Sequence, residues 1–165
     1  MTVLSYELLI NVLFIITCLF LFQIYVDRIG DVSLKQQQVG IFLTTGLAIV
    51  LCIAFPISYG NYYAFDLRQI PLLLGSLTGG PIVAISLFLV TNVFHVTLSG
   101  VGIVSNLIIS ITILILSFVL APKFNSCSFK NRVVFAVGLS IASSLYSFLI
   151  VMLFTSTSDI SNLFD

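Results

Sequence analysis

The chain has almost no charge. Six Lys and Arg and six Asp and Glu make up 7% of its 165 residues, and they cancel. From Gln69 to Pro122, 54 residues pass without one Asp, Glu, Lys or Arg, and His95 is the only ionisable side chain among them. A water-facing surface needs charge, so no soluble domain of ordinary composition is built this way. As helix, such a stretch would run ~80 Å against ~30 Å for a bilayer core, which is two to three crossings. Hydrophobic residues make up 59% of the chain and the mean hydropathy is +1.23. This is the composition of an integral membrane protein in contact with the lipid bilayer. The zero net charge gives no footprint for nucleic acid, and the longest hydrophilic stretch, Asp27 to Gln38, is only a loop.

Other absences narrow the function. Of three cysteines, Cys18 and Cys52 lie inside apolar runs and Cys127 in a basic loop. There is no CxxC and no His/Cys cluster, so neither a disulfide framework nor a metal centre is expected, and the thiols read as small buried hydrophobes. The N-terminus carries Glu7 rather than a basic start, and no small-residue cleavage pattern follows Val26, so the first apolar run is expected to be a retained helix. No nucleophile–base pair, paired carboxylates or phosphate loop is present. The chain is expected not to be an enzyme and to need no cofactor.

Six apolar segments are present, at about residues 8–26, 39–57, 66–79, 82–98, 103–121 and 133–155. Most have the ~20 residues a span requires. The runs are continuous rather than alternating at period two, which excludes a β-barrel. The expected fold is all-α: a polytopic membrane bundle of about six transmembrane helices, one domain over 1–165, with Pro122 closing the fifth helix. Gln36-Gln37-Gln38 is read as loop.

The third helix is short, with roughly 14 residues before Gly79-Gly80-Pro81, or ~21 Å. Loop charge decides whether it crosses. Arg28 and Lys35 lie between helices 1 and 2, and Lys123, Lys130 and Arg132 between helices 5 and 6. The positive-inside rule places both loops in the cytoplasm. They share a side only if helices 2 to 5 make four crossings, so helix 3 is expected to cross. The N-terminus, the 58–65 loop, the 99–102 turn and the C-terminal tail are then extracytoplasmic. Tyr6, Tyr59, Tyr62 and Tyr63 fall near that boundary, where amphipathic rings are favoured.

The densest motif is Asp66-Leu67-Arg68-Gln69-Ile70-Pro71, followed by Gly75 and then Gly79-Gly80-Pro81. Asp66 and Arg68 are charges at a membrane boundary. Pro71 falls in the first turns, where its missing N–H costs little. Gly75 and Gly79 form a GxxxG that allows close helix approach, and Gly80-Pro81 ends one helix and starts the next. Each is also a common packing device. Taken in order, the set resembles the signature of the LytS-type five-transmembrane sensor region. Arg68, Ile70-Pro71, Gly75 and Gly79-Gly80-Pro81 match residue by residue, and the Cys52–Ile57 end of helix 2 is similar as well. The match covers about residues 39 to 131. Two positions differ: His95 stands where the family has a second Arg, and Ser99-Gly100 where it has Gly-Gly. The charge of a histidine there depends on pH near neutrality.

The resemblance implies a bacterial inner-membrane input domain coupled to a cytoplasmic histidine kinase or diguanylate cyclase. It also implies a small extracytoplasmic ligand, with small carboxylates as the class. The expected site joins Arg68 as anion clamp, His95 tuning it, Asp66 orienting Arg68, and Asn92, three residues before His95 on the same helical face. If protonated His95 contributes, binding weakens as pH rises. The competing reading makes His95 a hydrogen-bonded tie between helices. Asn106 is read as interhelical glue. Small residues on helix 6 (Gly138, Ser140, Ala142, Ser143, Ser144, Ser147) are expected to pack the core, with homodimerisation as the second role. Helix 6 delivers the C-terminus outside, so an output domain would need one more crossing. The alternative function is a substrate-binding membrane component of a vitamin-type transporter, since a broken helix at a binding site suits transporters.

Overall fold

A computed structural model describes residues 6, 8–18, 20, 33–59, 63–98 and 103–161. The chain is a helix bundle: α1 (Leu8–Cys18), α2 (Leu34–Ala54), α3 (Gln69–Gly79), α4 (Pro81–Leu98), α5 (Ile103–Ser126) and α6 (Phe129–Ser161). Among the described residues, three segments are long and apolar enough to cross a membrane: Leu34–Ala54, Ile103–Ser126 and Lys130–Val151. Pro81–Thr97 and Leu8–Cys18 are shorter apolar helices.

Each boundary has a local cause. α2 begins five residues before the expected 39, because Ser33 and Gln36 form a capping box. The Ser33 hydroxyl accepts from the Gln36 amide at 3.4 Å, and the Gln36 side chain accepts from the Ser33 amide at 3.1 Å. The glutamine tract is therefore helical, and one of its members is the cap. α2 stops at Ala54, two residues short of Pro56, which disfavours helix in the residue before it. The expected 58–65 loop holds an antiparallel ribbon, Ile57–Tyr59 (β1) paired with Tyr63–Phe65 (β2). α3 starts three residues later than expected, since Asp66 and Leu67 are extended or irregular. Pro122 lies inside α5 rather than closing it. The last turn survives because Arg132 Nη2 donates to the Asn125 and Cys127 carbonyls, at 2.8 and 3.3 Å, which satisfies the helix end. The first helix is described only to Cys18 and at residue 20, so the expected run to Val26 lies outside the described residues beyond that point.

α3 is the centre of the molecule. It packs against α2, α4, α5 and α6, and eight of its eleven residues are buried. Leu72, Leu73 and Leu77 meet Ile49, Ile53, Val83, Leu87, Ile109 and Ile113 in one core. Glycine makes the approach possible. A methyl at Gly75 would stand 2.6 Å from Leu87 Cδ1 and 2.8 Å from Thr45 Oγ1, and one at Gly79 would stand 2.6 Å from Val83 Cγ1. Gly80 has φ +83°, a conformation L residues rarely adopt.

α3 and α4 fold back on each other about Gly80. Gly79 meets Val83 and Gly75 meets Leu87, while Arg68 meets His95. Both arms step away from Gly80 in nearly equal strides, the signature of an antiparallel helical hairpin. α5 and α6 form a second one, with Thr112 touching Tyr146 at 3.2 Å and the Phe124 and Phe135 rings 6.1 Å apart.

Candidate functional site

The arms of the first hairpin are unequal. At ~1.5 Å per residue, α3 runs ~16 Å and α4 ~27 Å, so α3 stops about 10 Å short of the far end of α4. The segment leading into α3 therefore enters the bundle below its rim. This explains why two charged residues of that segment, Asp66 and Arg68, are each only 8% exposed.

Their arrangement is local and tight. Asp66 Oδ1 accepts from the Arg68 backbone N–H at 3.1 Å, the i to i+2 turn that aspartate favours. The same oxygen lies 3.2 Å from Arg68 Nε. This is the one ion pair among the described residues. It holds the guanidinium by its Nε edge and directs the Nη edge toward α4. There Arg68 Nη1 lies 2.6 Å from His95 Nδ1, on a histidine that is 6% exposed. Gln69, beside Arg68, is buried as well. Arg68 Nη2 has no acceptor among the described residues.

Asn92, one turn along α4 from His95, is engaged elsewhere. Its Oδ1 accepts from Asn106 Nδ2 at 3.1 Å and its Nδ2 donates to the Phe88 carbonyl at 2.8 Å. Asn92 and Asn106 thus join α4 to α5 directly beneath the Arg68–His95 contact. The structure brings Asp66, Arg68 and His95 into one cluster and puts Asn92 in an adjoining hydrogen-bonded pair. Pro71, Gly75, Gly79, Gly80 and Pro81 occupy the body and break of the hairpin, where they set its spacing.

The chain matches the model of one family, described as the 5TMR of 5TMR-LYT, over residues 13–163. The match spans nearly the whole chain. This protein belongs to the 5TMR-LYT family. The LytS-type resemblance carried by Arg68, Ile70-Pro71 and Gly79-Gly80-Pro81 is thereby established, and 5TMR-LYT membership points to a membrane input domain. No curated protein and no solved structure matches the chain.

Sequence reasoning missed Asn11. It is fully buried in α1, and its Nδ2 donates to the Phe55 carbonyl at 2.7 Å, so it fastens α1 to the C-terminal end of α2. The signal was present as a lone amide in an apolar run, where burial without a partner would be costly. Thr45 was missed too. Only the fold shows that it packs against Gly75.

Proposed function

We propose that the chain is the transmembrane input domain of a bacterial sensor and that it receives a small carboxylate at Arg68. The observation that carries this reading is the state of the Arg68 guanidinium. It is buried and held by Asp66 on Nε and His95 on Nη1, while Nη2 lacks an acceptor among the described residues. A planar fork of this kind suits two parallel hydrogen bonds to a carboxylate. Ionisable groups inside a membrane bundle are costly and are placed at functional sites by default. Asp66 already neutralises Arg68, so a singly charged ligand fits better than a multiply charged one.

In this reading the mouth of the site is extracytoplasmic, and the loop around Cys127 is cytoplasmic beside Lys123, Lys130 and Arg132. Binding would alter how α3 packs on α2 and α4 across Gly75 and Gly79, and so bias a cytoplasmic kinase or cyclase output. That requires the ligand to bind two packing states with different affinity.

The test is thermal unfolding of the purified protein in detergent, with sodium acetate, propionate and larger 2-oxo and 2-hydroxy acids against sodium chloride. A ligand at 100 times its Kd stabilises by about 2.7 kcal/mol. The expected result is a raised Tm with at least one carboxylate and no rise in Arg68→Ala. A panel with no effect on the wild type, or an equal effect on Arg68→Ala, removes the anion site. Orientation is tested separately: Cys127, with Cys18 and Cys52 replaced, should resist a membrane-impermeant thiol reagent in intact cells.

A further inference from the structure

We propose that His95 serves the site in its neutral form, as the hydrogen-bond acceptor that positions the Arg68 guanidinium, and not as a second cation on the ligand. This rests on the reading of Arg68 as the anion clamp and concerns how that clamp is held.

The argument starts from which atoms can donate. A guanidinium has five N–H donors, no acceptor and no accessible neutral form in a protein. Arg68 Nη1 stands 2.6 Å from His95 Nδ1, so the hydrogen between them belongs to arginine. The lone pair belongs to Nδ1. An imidazolium has no lone pair, and two cations at this distance, both more than nine-tenths buried, would repel strongly in a medium of low dielectric. The ring is therefore neutral, with its proton on Nε2.

Asp66 and Arg68 face the ring from the segment before α3, and Cys52 on α2 lies within electrostatic reach of both. α4 and α5 bring no Asp, Glu, Lys or Arg to this end of the bundle, since residues 69 to 122 contain none. Lys123, Lys130 and Arg132 lie at the opposite end, beside the Phe124–Phe135 contact. Asp66 is itself engaged with Arg68 Nε and the Arg68 amide.

The sign of the pH dependence follows. Acid protonates Nδ1, removes the acceptor and sets a cation against Arg68. Carboxylate binding then weakens once the ring is protonated. A histidine acting as a ligand cation would give the opposite trend.

The chain contains a single histidine, so histidine labelled with ¹⁵N reports on this ring alone, provided that the protein is purified through a tag free of histidine. The experiment is a long-range ¹H–¹⁵N correlation spectrum of the unliganded protein in detergent at pH 7, for wild type and Arg68→Gln. The expected pattern is a neutral ring protonated on Nε2, with an Nδ1 resonance that moves in Arg68→Gln. An imidazolium pattern at pH 7 overturns the proposal, as does the Nδ1–H tautomer, and the wild-type spectrum alone decides both if Arg68→Gln does not fold. An Nδ1 resonance unmoved in a folded Arg68→Gln overturns it as well. Substitution gives a second reading. His95→Gln, which keeps an acceptor, should retain a Tm within about 2 °C of wild type, whereas His95→Lys should lose about 4 °C or more. The reverse order overturns the proposal. Neither measurement needs a ligand, so a carboxylate panel without effect would count against the anion site alone.

Discussion

α3 and α6 are both apolar helices of one bundle, and they meet the rest of the chain in opposite ways. α3 has eleven residues, is buried on nearly all sides, and touches four other helices. α6 has 33 residues and presents Val134, Val137, Ile141, Leu145 and Leu149 to its surroundings. Their glycines carry the contrast. A methyl at Gly75 would collide with Leu87 and Thr45, while one at Gly138 would meet nothing within 4 Å. The same residue type thus marks a close helix contact in α3 and open space in α6. A small residue in a membrane helix identifies an interface only when the opposing helix is known.

The sharpest way to break this comparison is Gly75→Leu beside Gly138→Leu. The first forces α3 away from α2 and α4 and should cost about 3 kcal/mol or more, by analogy with overpacked cores. The second should be close to neutral. Equal Tm values in detergent would show that α3 is not held by its glycines.

Arg68→Ala comes next. It leaves Asp66 buried without its cation, a loss that costs roughly 3 kcal/mol when a buried pair is broken on one side. The double variant Asp66→Asn/Arg68→Gln should recover much of that loss. If the double variant is no better than the single one, the two charges do not stabilise each other.

Gly80→Ala probes the turn between α3 and α4. With φ at +83°, any side chain strains the backbone by about 1–2 kcal/mol, and chemical denaturation should show it. The smallest effect is expected at the periphery. Tyr146→Phe removes the α5–α6 hydrogen bond to Thr112 and should cost about 0.6 kcal/mol, the usual worth of such a bond between membrane helices. A larger loss there than at Gly80 would invert the ranking of centre over edge.

Much of this architecture was legible in the sequence. The absence of charge from Gln69 to Pro122 announced membrane helices, and Gly79-Gly80-Pro81 announced the break, because both depend on local chemistry. Arg68 and His95 were paired in expectation because helix 3 starts and helix 4 ends on the same side of the membrane. The sequence could not say that the Arg68 guanidinium meets a ring nitrogen of His95 at hydrogen-bond distance. The boundaries that moved did so for reasons that lie across the fold or in side-chain geometry. α5 continues past Pro122 because a side chain from α6, Arg132, holds the Asn125 carbonyl in its last turn and the Cys127 carbonyl just beyond it. α2 begins early because Gln36 folds back on Ser33. Asn92 and Asn106 were both noticed, and only their 3.1 Å contact shows that they are partners.

The antiparallel register of α3 and α4 also bears on which lengths the chain can tolerate. Arg68 and His95 are 27 residues apart, and both arms between them are helical except at Gly80. Inserting one residue anywhere on α4 before His95 would turn the imidazole about 100° around the helix and raise it ~1.5 Å. A four-residue insertion would restore the approximate face and miss the guanidinium by about 6 Å. The interval from Arg68 to His95 is therefore a ruler, and insertions or deletions within it should be far less tolerated than substitutions of one apolar residue for another.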